Sequence, residues 1–111
     1  MIMSTKRTFW LSYDLGIKGD YTGLYTFLDS VNAKECGDSI AYFQKDYGNK
    51  FLESLTKELK RYVKIAKTDR VYVVYIETST NKAKGKFLFG ARKRAAWEGY
   101  ATQGSSTEED N

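Results

Sequence analysis

The chain predicts an α+β domain of two layers, with two helices covering one face of a mainly antiparallel sheet. Three observations predict it. Alternating and helix-spaced apolar patterns succeed one another in the order strand, helix, strand, helix, strand, strand. A length of 111 residues suits one compact core. A composition of 41% apolar and 29% charged residues is that of a globular domain. Residues 1 to 103 are read as that single domain, and residues 104 to 111, GSSTEEDN, as a disordered acidic tail.

The first strand is expected over residues 8 to 15, TFWLSYDL, with Phe9, Leu11 and Tyr13 on one face and Trp10, Ser12 and Asp14 on the other. Gly16 and Gly19 interrupt the alternation. Asp20 then caps a helix from about Tyr21 to Val31, where Leu24, Phe27, Leu28 and Val31 fall at helical spacing. The segment 33 to 45 holds a strand centred on SIAYF, with Gly37 as a bend before it. It completes a ferredoxin-like pattern if it folds as two short strands bent at Gly37 or after Phe43.

From Lys50 to Lys64 the apolar residues Phe51, Leu52, Leu55, Leu59, Tyr62 and Val63 recur at three and four, and Lys57, Glu58, Lys60 and Arg61 take the solvent side. That is a second helix. Residues 71 to 77, VYVVYIE, are nearly all β-branched or aromatic and predict a central strand covered on both faces. The turn STNKAKG leads to a partner strand, KFLFG, at residues 86 to 90, followed by an arm over residues 91 to 100. Trp10, Tyr72, Val74 and Ile76, or their neighbours in the opposite register, put apolar groups on both faces of the sheet, which predicts a homodimer that covers the open one.

Composition excludes much chemistry. The chain has no histidine, which removes serine-histidine and cysteine-histidine nucleophiles and the usual zinc sets. Neither zinc nor heme is expected, and a bound metal would be a hard ion such as magnesium or manganese on oxygen ligands. The one cysteine, Cys36, is read as a small, partly buried residue, since nothing is there to activate a thiol. No run of apolar residues is long enough to span a bilayer, and MIMSTKR leads into a strand pattern, so a cytoplasmic protein is expected. GIKG matches no phosphate-binding glycine motif.

Charge points to a polyanion. The net charge of +4 combines a more basic body with a tail whose Glu108, Glu109 and Asp110 meet no cation. Lys82, Lys84, Lys86, Arg92, Lys93 and Arg94 form a run without an acid. Lys84, Lys86, Arg92, Lys93 and Arg94 are the candidate phosphate ligands for RNA, DNA or a nucleotide. Phe87 and Phe89 interleave with them, and Trp97 and Tyr100 follow, as rings for stacking or for docking the arm back on the body, with Glu98 pairing to an arginine. A solvated edge strand protected by lysines produces the same pattern. Asp14, closing the first strand, is the candidate catalytic and metal-binding carboxylate, and Asp38 and Ser39 are secondary candidates that could approach it. Asp followed by a turn is also ordinary strand termination.

LSYDLG, the helix GLYTFLDSVNAKECG, DSIAYF and the helix FLESLTKELKRYV before VYVVYI together resemble the small dimeric CRISPR-associated adaptation subunit, often described as an endoribonuclease, and the VapD toxin group. The resemblance covers residues 8 to 77, with Tyr13 and Asp14 at the family's first motif and Ser39, Ile40 and Ala41 at the second. It implies a ferredoxin-like homodimer in which Asp14 from both subunits binds metal at the dimer axis. The function so predicted is nucleic-acid or nucleotide binding by a small basic homodimer, with metal-dependent phosphodiester hydrolysis at Asp14 as its enzymatic version. The alternative is a non-enzymatic toxin-antitoxin or phage-host-conflict component that captures a protein or a small anionic ligand.

Overall fold

The computed structural model describes residues 6 to 102, so the predicted tail lies outside the described residues. Seven elements follow one another: β1 (Arg7–Asp14), α1 (Tyr21–Ser30), β2 (Lys34–Glu35), β3 (Ile40–Lys45), α2 (Phe51–Tyr62), β4 (Arg70–Glu77) and β5 (Lys82–Phe89). The sheet has five strands in the order β2-β3-β1-β4-β5, and every neighbouring pair is antiparallel. The α1 connection carries the chain from β1 to β2 and leaves room for β3 between them. The α2 connection carries it from β3 to β4 across β1.

One face of the sheet holds the core. Phe9 and Leu11 of β1, Ala41 and Phe43 of β3, and Val71, Val73 and Tyr75 of β4 are buried against Leu24, Phe27 and Leu28 of α1 and Leu55 and Leu59 of α2. The alternation read from the sequence therefore puts Phe9 and Leu11 inward and leaves Trp10, Ser12 and Asp14 on the opposite, open face. Asp20 caps α1 as predicted, its Oδ1 accepting from the Gly23 N–H at 3.0 Å, while Oδ2 accepts from the Lys64 N–H at 2.9 Å and ties the start of α1 to the segment after α2. Residues 33 to 45 do form two strands, split around Gly37, whose φ of 147° suits glycine.

Three expectations change. β4 is central, but only its Val71, Val73 and Tyr75 face is buried, and Tyr72, Val74 and Ile76 lie half-covered on the open face because both helices pack on the other side. β5 starts at Lys82 rather than Lys86: its lysines form an edge strand, where ammonium groups reach solvent without disturbing the pairing. A β-bulge at Leu88 sets Phe87 opposite Tyr72 but Phe89 opposite Val71. The two phenylalanines therefore face opposite sides of the sheet, although residues two apart in a regular strand share a face. Cys36 is exposed, in the short link between β2 and β3.

Candidate functional site: a cationic corner of the open face

The open face ends in a corner built from β1, β4, β5 and the segment after β5. Asp14, the last residue of β1, sits opposite Arg70, the first of β4, and Arg70 Nη2 donates to Asp14 Oδ2 at 2.6 Å. Ser12, Tyr72, Phe87 and Arg92 complete the walls of a shallow hollow of about 290 Å³ around that pair. Gly90 makes the corner possible. Its φ of 78° turns the chain back after β5, and a Cβ there would meet the Arg70 side chain and the Asp69 carbonyl at 2.7 Å. The turn brings the Arg92 guanidinium to 5.7 Å from the Phe87 ring centre.

Two more hollows adjoin the first, and Arg70 lines all three. One runs along the arm past Arg92, Lys93, Arg94, Trp97 and Glu98. The other passes Gly16, Lys67, Thr68 and Lys93. Lys67, Arg70, Arg92, Lys93 and Arg94 thus ring one corner of the molecule. Their acidic neighbours are largely spent: Asp14 on Arg70, and Glu98 on Arg94 at 3.1 Å, the arginine pairing read from the sequence.

A buried carboxylate holds the corner in place. Asp69 is 1% exposed, and its Oδ1 accepts from the Gly16 N–H at 3.3 Å while Oδ2 accepts from the Ala66 N–H at 2.8 Å. It fastens the turn after β1 to the turn before β4, and so keeps Asp14 and Arg70 in register. Sequence reading missed Asp69, Arg70 and Lys67. Their only sequence signal is KTDR ahead of VYVVYI, a turn-former and two cations at a strand entrance.

The other predicted residues separate into groups. Lys84 and Lys86 share a face, as the alternation requires, but it is the helix side of β5: they pair in register with Tyr75 and Val73. Lys84 Nζ lies 3.8 Å from Glu77, and Lys86 lines a groove with Lys57 and Lys60 of α2. The single cationic run is therefore divided, because the strand alternates and the chain turns at Gly90. Trp97 and Tyr100 are 77% and 66% exposed, so neither ring docks on the described body. Asp38 and Ser39 occupy the turn into β3, and the Ser39 carbonyl accepts from the Tyr13 N–H at 3.0 Å, which sets this turn beside the end of β1.

Among the described residues no three acidic or cysteine side chains gather around Asp14 within one chain. Asp14 Oδ2 is taken by Arg70. A hard cation on Asp14 would share that carboxylate with the Arg70 guanidinium, which holds Oδ2. No family model matches the chain, and no curated protein or solved structure matches it significantly.

Proposed function

We propose that the chain is a ferredoxin-like nucleic-acid-binding protein that holds phosphates at the cationic corner. The strand order β2-β3-β1-β4 with two helices on one face supports the ferredoxin-like part, with β5 and the arm as the addition. The observation that carries the binding is the convergence of Lys67, Arg70, Arg92, Lys93 and Arg94 on three hollows sharing Arg70. Guanidinium groups suit this role, since each can present paired N–H donors to two phosphate oxygens. Kinship with the CRISPR-associated and VapD group belongs to the same proposal, supported by Tyr13 and Asp14 closing β1 before α1 and by Ile40 and Ala41 opening β3 directly after Ser39.

Titrating a labelled oligonucleotide at several salt concentrations tests it. If Lys67, Arg92, Lys93 and Arg94 each neutralise a phosphate, the logarithm of the affinity falls against that of salt with a slope of about −3 for a single strand. Affinity that is negligible or insensitive to salt contradicts phosphate binding.

A further inference from the structure

The open face carries four aromatic rings, one on each of four neighbouring strands: Tyr42 on β3, Trp10 on β1, Tyr72 on β4 and Phe87 on β5. Tyr42 is the register partner of Trp10, and Phe87 that of Tyr72, while Trp10 and Tyr72 stand diagonally across β1 and β4. At the usual strand spacing the row crosses roughly 14 Å of sheet. Tyr42 is 38% exposed, and the other three rings are half-buried.

The rings are also held. Phe87 meets Tyr72 edge-on, with centres 4.7 Å apart and planes at 69°. Tyr72 lies across Gly85, whose missing side chain leaves the space the phenol occupies. A row of fixed rings costs little ordering when a flat ligand is laid on it.

Charge selects the ligand. Lys34, opposite Tyr42, stands at one end of the row, and Arg70 and Arg92 stand at the other. Among the described strand residues of this face the one acid is Asp14, already paired with Arg70. Two copies set face to face would oppose cations to cations, whereas a polyanion with flat bases complements both the rings and the charge.

We infer that the open sheet face is a stacking platform for the bases of a single-stranded nucleic acid whose phosphates reach the Arg70 and Arg92 corner. The platform rests on the phosphate-binding proposal and adds to it the strandedness of the ligand. A duplex keeps its bases stacked inside and cannot lay them on the sheet, so single strands are preferred.

The test compares three probes by fluorescence anisotropy at one salt concentration: oligothymidylate, an abasic strand of the same number of phosphates, and a duplex of the same length. Oligothymidylate is expected to bind about tenfold or more tighter than the abasic strand, and Tyr42→Ala to remove most of that difference without altering abasic binding. Tyr42 is a surface residue of β3, so its variant keeps the core intact. Equal affinity for oligothymidylate and the abasic strand overturns stacking while leaving phosphate binding standing. Failure to bind any probe overturns both. A stable dimer that Tyr42→Ala dissociates overturns the platform in favour of self-association.

Discussion

Asp69 spends both carboxylate oxygens on backbone N–H groups, from Gly16 and Ala66, and it is buried, so no solvent replaces a lost partner. Asp69→Asn puts an amide donor against one of those donors. It is expected to cost about 1–3 kcal/mol in urea unfolding, and an unchanged midpoint would show that the staple carries no energy. Asp20 does the same at the surface, and the N–H of Lys64, then that of Gly23, hold its carboxyl below the ordinary 3.8. Its depressed value means that its contribution is fully present above that ordinary value and is lost as pH falls through the folded value. Acid unfolding of Asp20→Asn is therefore expected to lose part of the wild-type pH dependence below about pH 4. Asp14 has a different test, because it is exposed and paired with Arg70. Asp14→Asn removes an anion from the corner, so oligonucleotide affinity should hold or rise, and a tenfold fall would place Asp14 in the binding contact itself. Asp20 as a helix cap was legible from GDYTGL, since a capping carboxylate is a local property. Asp69 was not legible, because its two partners come from separate turns that only the fold brings together.

At the scale of elements, α2 is fastened to β3 by one carboxylate: Glu58 accepts from Lys45 Nζ at 2.8 Å and from the Tyr47 hydroxyl. Burial, followed by the Glu58 carboxylate, pushes the Tyr47 phenol above its ordinary 10.0. The unfolded chain ionises Tyr47 first, so the stability this phenol supplies is complete below about pH 10 and declines above it. Tyr47→Phe is expected to flatten that alkaline decline, read by thermal unfolding between neutral pH and pH 11. An identical decline in the variant would assign it to other groups. Both helices and the strands β1, β3 and β4 were legible, because their apolar periods are long and local. β5 was legible only in part. KAKGKFLF carries its lysines as an edge strand can, and its bulge at Leu88 is fixed by pairing with β4 rather than by its own sequence. That bulge decides which phenylalanine reaches the open face. Gly85→Ala would push the Tyr72 ring off its seat, and is expected to weaken oligothymidylate binding several-fold.

In the whole molecule the layers sort the charges. The sheet order sends Lys84 and Lys86 to the helix side beside Lys57 and Lys60, and the turn at Gly90 returns Arg92, Lys93 and Arg94 to Arg70. A run of cations adjacent in sequence thus becomes two separate surfaces, and the sequence could not say which of them sits beside the aromatic row. Among the described residues no helix is long and apolar enough to cross a membrane. The decisive measurement sets two charge-reversed proteins side by side: one carrying Arg92→Glu, Lys93→Glu and Arg94→Glu, the other Lys84→Glu and Lys86→Glu, both titrated with a labelled single strand across a salt series. Phosphate binding at the corner predicts that the first loses nearly all affinity and salt dependence, while the second keeps the wild-type slope. Loss confined to the Lys84 and Lys86 variant, or equal loss in both, contradicts it.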